Sequence, residues 1–259
     1  MENYISLLLN PLPARDPYLL VILMGIILAG AFITSGFGVG GAILMTPLFM
    51  FFLPPKFGIG LLAPLMVLIS GTGVRQYWKQ WDRRHLLIVL LPSILGIWLG
   101  TYFLVVISAE VVRKIVGGLA ILFGTFQFLS TDRPEWRNRL RPSPWQGVSL
   151  GFASGMTTAI AHTGGIVFSF YLLPNSRTKE IFVGTTVFIF CVMGLIKLGT
   201  YWYYEILTFP ILLLSIPLIP ALFAGSLLGR WFNRRISPKL FMRLLSIFLG
   251  VMGIKLILG

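Results

Sequence analysis

Two short stretches gather residue types that could hold a ligand inside an apolar chain. The first, "TSGFGVGGAILMTP" (34–47), contains Thr34, Ser35, Gly36, Gly38, Gly40, Gly41 and Pro47. The second, "AIAHTGGIVFSFYLL" (159–173), contains His162, Thr163, Gly164 and Gly165 and follows Thr157 and Thr158. These residues offer hydroxyls, one imidazole and lightly covered backbone N–H groups. Glycine costs about 1 kcal/mol against alanine in a helix interior, so such a cluster needs a reason. A break in the helix supplies one. The second half-helix then begins inside the membrane, and its N-terminus presents free N–H groups and the positive end of the dipole, which suit an anion.

Other chemistries lack their residues. The acidic residues Glu2, Asp16, Asp82, Glu110, Asp132, Glu135, Glu180 and Glu205 all fall in loops or at span ends. A carboxylate relay or a cation path through the spans is therefore not expected. One cysteine, Cys191, and two distant histidines leave no nucleophile set or metal set, so no catalytic residue, metal or cofactor is expected. Cys191 reads as a small buried hydrophobe. His85 follows Arg83 and Arg84 in a basic loop and reads as solvated.

The surrounding chain reads as all-α and membrane-spanning. Of its 259 residues 56% are hydrophobic and only 11% charged, where soluble domains run near a quarter charged. Mean hydropathy is +0.88, and several runs approach the length of a transmembrane helix. The formal charge of +13 is then attributed to basic cytoplasmic loops rather than to nucleic acid. The start, "MENYISLLLNPLPARDPYLL", lacks the basic leader and cleavage site of a signal peptide.

The chain also reads as a duplication. Shifted by 124, Gly40-Gly41 falls on Gly164-Gly165, Gly60 on Gly184, and Tyr77-Trp78 on Tyr201-Trp202. Shifted by 129, 107–129 falls on 236–258, and Gly96 and Gly100 fall on Gly225 and Gly229. This divides the chain into an N-terminal segment (1–17), repeat 1 (18–129), a polar cytoplasmic linker (130–144) and repeat 2 (145–259). Each repeat is expected to hold one glycine stretch (18–53; 145–173) and three spans: 57–76, 86–107 and 111–129, then 180–199, 207–229 and 239–258. The second glycine stretch is about 43 Å as one helix, long for one crossing of a ~30 Å core and short for two. Two half-length helices meeting inside the membrane fit better, provided protein or a wet cavity covers the break.

Charge chooses the topology. If each glycine stretch returns to its own side, the repeats are inverted and Lys and Arg divide 15 to 5 between the faces, with Lys197 inside a span. If each stretch crosses, the repeats are parallel and the split is 10 to 10. Only the inverted arrangement follows the positive-inside rule. It places both termini outside and fits the pattern of secondary transporters, with a site near midplane where the two breaks meet.

At "GFGVGGAILMTPLF" the chain resembles the TauE/SafE sulfite-exporter family. That family carries a glycine-rich motif, an apolar run and a proline in each half. Ala42 stands where a third consecutive glycine is often found, His162 where Gly38 aligns, and Tyr171 in place of Pro47. The resemblance implies a bacterial inner-membrane transporter, an exporter, of small sulfur-containing anions: sulfite, thiosulfate or organosulfonates. Such an anion would be held by Thr34, Ser35, Gly38, Gly40, Gly41, Thr157, Thr158, His162, Thr163, Gly164 and Gly165. The plainer alternative is that the glycines only permit close helix packing and the threonines bond back to carbonyls.

His162 could donate to the anion, carry a coupled proton, or simply pack. Lys197 and Arg75, near span ends, read as snorkelling to the headgroups, with an electropositive vestibule as the alternative. "TYWYYE" (200–205) reads as an interfacial aromatic belt. "GIWLG" (96–100) and "GSLLG" (225–229) could pack helices within a protomer or across a homodimer. Besides the anion, the expected partners are membrane lipids, with no nucleic acid. The competing functions are a flippase for anionic lipid headgroups and a non-transporting membrane scaffold.

Overall fold

A computed structural model describes residues 17–37, 41–131, 142–232 and 238–258. Gly38, Gly40, most of the linker 130–144 and the basic residues of 132–141 and 233–237 lie outside the described residues. Among the described residues all regular structure is helical: α1 (Pro17–Phe37), α2 (Gly41–Phe52), α3 (Pro55–Gln76), α4 (Arg83–Val106), α5 (Ala109–Thr131), α6 (Pro144–Ala161), α7 (Gly164–Asn175), α8 (Lys179–Tyr203), α9 (Phe209–Ser215), α10 (Ile219–Phe232) and α11 (Pro238–Leu258). A 3-10 turn, Ile216–Leu218, joins α9 to α10. Pro217 and Pro220 remove amide donors there, which explains the tightened turn.

Among the described residues six segments are long and apolar enough to cross a membrane: Pro17–Ser35, Pro55–Gln76, Arg83–Val106, Ala109–Leu129, Glu180–Tyr203 and Phe209–Gly229. The chain is a multi-pass membrane protein.

Helix ends follow local chemistry. Pro55 and Pro144 occupy first-turn positions, where a missing N–H costs nothing. The Ser143 N–H donates to Gln146 Oε1 at 2.8 Å, one arm of a capping box. Asp82 caps α4: one carboxylate oxygen accepts from the N–H groups of Arg84 and His85 at 3.0 and 3.2 Å. Burial alone would raise the Asp82 carboxyl, but the bonds from His85 and Arg84 outweigh it and hold the group below its ordinary value.

The sign follows from linkage. A carboxyl depressed in the folded state stabilises fully above its unfolded value near ~3.9, and that contribution is lost as pH falls through the folded value. Asp82→Ala should therefore cost about 1 kcal/mol at neutral pH. Melting curves of the two proteins should converge below about pH 4.

Each glycine stretch holds two described helices of unequal length. α1 and α6 have 21 and 18 residues, while α2 and α7 have 12 each. Twelve residues reach about 18 Å, a little past the middle of a ~30 Å core. The second hairpin returns to the face it left, since Asn175 Nδ2 at the end of α7 donates to the Pro142 carbonyl just before α6 at 3.2 Å.

α6 packs most extensively on α4, α1 on α10, α5 on α11, and α3 on α8. Glycines set the closeness. A Cβ at Gly96 would strike the Phe152 carbonyl, and one at Gly100 would meet Met156 backbone atoms at 2.9 Å. A Cβ at Gly225 or Gly229 would strike the Leu28 or Phe32 carbonyl. "GIWLG" and "GSLLG" are thus used inside the protomer.

The "TYWYYE" segment is not wholly interfacial. Trp202 and Tyr203 are exposed, and Trp98 lies beside Tyr203 and Tyr204, with centroids at 5.8 and 6.1 Å. Tyr201 is buried, and its hydroxyl donates to the Ala159 carbonyl of α6.

Candidate functional site

α6 ends where His162 turns left-handed, with φ 57° and ψ 21°. Glycine or asparagine usually takes that position because a Cβ is disfavoured there. The His162 N–H donates to the Thr158 carbonyl at 3.1 Å, and the Thr163 N–H reaches the Thr157 carbonyl at 3.4 Å. These bonds close off the end of α6. α7 then starts at Gly164 with Thr163 as its cap residue, yet the Thr163 side chain caps no N–H. The Ile166 N–H takes the Thr163 carbonyl at 3.2 Å, which leaves the amides of Gly164 and Gly165 as those without an acceptor inside the helix.

Close packing holds the tip together. Ser154 Oγ donates to the Gly164 carbonyl at 2.9 Å. A Cβ on Gly164 would run into Thr158 Oγ1 and the Ser154 carbonyl. The first hairpin repeats the arrangement: a Cβ on Gly41 would run into Thr34 Oγ1 and the Gly30 carbonyl. Gly41, rather than Gly40, therefore occupies the place that Gly164 has in the second hairpin. The alignment slips by one residue across the break.

A cavity of about 70 Å³ lies between the hairpins, lined from α1 and α2 by Thr34, Ala42 and Ile43, and from α6, α7 and the turn between them by Thr158, His162, Thr163, Gly165 and Ile166. α3 adds Met66, Ile69 and Ser70, and α8 adds Phe190, Gly194 and Lys197. Of the expected residues, Thr34, Thr158, His162, Thr163 and Gly165 reach it. Gly41, Thr157 and Gly164 shape the tips without lining it, Ser35 sits on α1 away from the lining, and Gly38 and Gly40 are outside the described residues.

The polar atoms here are unevenly satisfied. Thr34 and Thr157 bond back to the carbonyls of Gly30 and Ala153, both at 2.9 Å, as the plainer alternative requires. Thr158 Oγ1 and both ring nitrogens of His162 are buried with no hydrogen-bond partner. Leaving such atoms unpaired costs about 1–3 kcal/mol each, so each needs an explanation.

Lys197 overturns its expected role. Its side chain does not reach the headgroups; the residue is 2% exposed and lines the cavity. Its Nζ lies 5.7 Å from the centroid of the Tyr201 ring, within cation–π range. No carboxylate is found among the described lining residues. Thr200 holds the local backbone by donating to the Lys197 carbonyl at 3.0 Å and meeting Thr101 Oγ1 at 3.2 Å. Sequence reasoning placed Lys197 at the headgroups first, with an electropositive vestibule as the alternative, because its signal, a lone lysine between apolar residues, is shared with snorkelling lysines. The contributions of α3 and α8 left no motif to find. Among the described residues no cluster could hold a metal ion.

The family model described as "Sulfite exporter TauE/SafE" matches residues 22–256. The chain belongs to the TauE/SafE family. No curated protein and no solved structure gives a significant match. TauE/SafE proteins are transporters rather than enzymes, and the second hairpin, the first from the sixth residue of α1 onward, and all the cavity-lining residues of this member lie within the matched span.

Proposed function

We propose that this TauE/SafE member moves small sulfur-containing anions by alternating access around the cavity between the hairpin tips. The observation that carries the reading is the set of unpaired donors there: the Thr158 hydroxyl and the one N–H that a neutral His162 ring carries, beside buried Lys197. An oxyanion accepts hydrogen bonds on every oxygen and would satisfy them together, aided by the start of α7. Direction follows the membrane potential. An inside-negative potential drives an anion outward at about 2.3 kcal/mol per charge per 100 mV, so export needs no proton relay.

Alternating access needs two related halves, and the lining supports them. Thr34 and Thr158, Met66 and Phe190, and Ser70 and Gly194 stand 124 apart. Ala42 and Gly165, and Ile43 and Ile166, stand 123 apart, beyond the one-residue slip. Helix packing pairs in the same way: α4 meets α6 while α10 meets α1, and Gly117 and Gly253 each approach the other's carbonyl. We read these as inverted repeats, 18–129 and 145–259, with the Arg-rich ends of the helices inside and both termini outside. The charge of the site is not shared, since Lys197 corresponds to Gly73 and His162 to Gly38.

Thermal-shift titration of the detergent-purified protein with sulfite, thiosulfate, sulfoacetate, taurine and chloride tests the reading. A ligand at a hundred times its Kd stabilises by about 2.7 kcal/mol. A sulfur anion should raise the melting temperature where chloride does not, and His162→Ala should weaken that ligand roughly tenfold or more. No shift with any sulfur anion, beside a shift with lipid phosphates, would replace the reading with a headgroup flippase.

A further inference from the structure

We infer that the site selects a compact sulfur oxyanion with no carbon tail, and that Phe190 sets the size limit. This rests on the reading of the cavity as the transport site. The space is about 70 Å³, less than half of the ~150 Å³ apolar cavity that admits benzene. Sulfite and thiosulfate, a single sulfur with three further atoms or one such group bearing one more sulfur, are of that scale. Sulfoacetate adds a methylene and a carboxylate, for which the described lining has neither room nor a second lysine. Taurine adds an ammonium, and no described lining residue is a carboxylate that could receive it.

Phe190 is the wall that cannot yield. Its ring stands against the first turn of α7, where a Cβ on Gly165 would strike the ring, so no slack remains between ring and backbone. Behind it, Phe168 is fully buried and packs on the ring in a tilted arrangement, with centroids 5.1 Å apart at 60°. Met66 occupies the corresponding place on the other side of the cavity, but an unbranched thioether side chain bends out of the way easily. Rigidity therefore assigns the limit to Phe190 rather than to Met66.

The experiment is competition of sulfite, thiosulfate, sulfoacetate and taurine for the full-length protein, read by thermal shift and by uptake into proteoliposomes. It uses the wild type, Phe190→Leu and Phe190→Ala, the leucine variant guarding against loss of folding in the alanine one. Wild-type protein should prefer sulfite and thiosulfate over sulfoacetate by roughly tenfold or more and ignore taurine. Phe190→Leu should narrow the sulfite-to-sulfoacetate ratio to within about threefold while sulfite binding persists. Equal binding of sulfite and sulfoacetate by the wild type would overturn the size limit and leave the transport reading standing. A selective wild type whose preference survives in both variants would remove Phe190 from the argument. Binding of taurine would overturn the charge argument, and absence of binding by every sulfur anion would overturn the transport reading itself.

Discussion

Replacing Lys197 by methionine should raise the melting temperature and abolish anion binding at once. The two effects have one cause. Lys197 is carried into the interior with no described carboxylate beside it, and a buried charge without a partner costs several kcal/mol before relaxation and local water reduce that figure. Methionine keeps the length and fills the same space without the charge. A gain of about 1–2 kcal/mol is expected, worth roughly 2–4 °C per kcal/mol in a chain of this size. Binding moves the other way. Losing one member of a buried charge pair costs about 2–5 kcal/mol, so sulfite should bind roughly 30-fold more weakly or worse. Melting curves with and without sulfite measure both quantities in one experiment. A lower melting temperature with sulfite binding intact would make Lys197 a packing residue and remove it from the site.

Gly164→Ala should be severely damaging for so small a substitution. The new methyl group would collide with Thr158 Oγ1 and the Ser154 carbonyl, with Ser154 Oγ a further 2.8 Å contact. A helix carbonyl cannot step aside as a side-chain terminus can. Overpacking of this kind costs about 1–3 kcal/mol, and here it also tilts the start of α7 away from Thr158 and His162. Stability should fall by about 3 kcal/mol, and the sulfite-dependent shift should vanish. Gly118→Ala is the matched control. Nothing lies within 4 Å of its Cβ position on α5, so it should leave binding unchanged and stabilise by up to about 1 kcal/mol through helix propensity. Equal effects from the two substitutions would mean that the tight crossing at Gly164 is not what holds the hairpin tip.

The helices and the two breaks were legible because they are written in composition. Apolar runs, first-turn prolines and glycine clusters act locally, and each appears where its own residues demand. The register across the break was not legible, because Gly40 and Gly41 are equally plausible starts until the contact of Gly41 with Thr34 chooses between them. The site was half legible. His162, Thr158 and Gly165 lie beside a motif, but Phe190, Ser70 and Lys197 reach the cavity only through the packing of α3 and α8, which no periodicity records. Thr157 and Thr34 are of a type that suggests donors for a ligand, and their hydroxyls donate to the carbonyls of their own helix.

The twelve-residue α7 has a consequence for how the protein is made. A helix of that length cannot cross a bilayer, and the polar turn that precedes it cannot rest against lipid. Its cover includes Phe190 and Lys197 of α8, which leave the ribosome after it. The nascent hairpin must therefore wait at the membrane face, or sheltered by the insertion machinery, until α8 is synthesised and docks. The first hairpin faces the same delay until α3 and, later, its neighbours on α10 are in place. Truncations ending between Asn175 and Lys197 should accordingly yield chains in which α6 and α7 remain open to a membrane-impermeant thiol reagent at engineered cysteines, while the full-length chain shields the same positions.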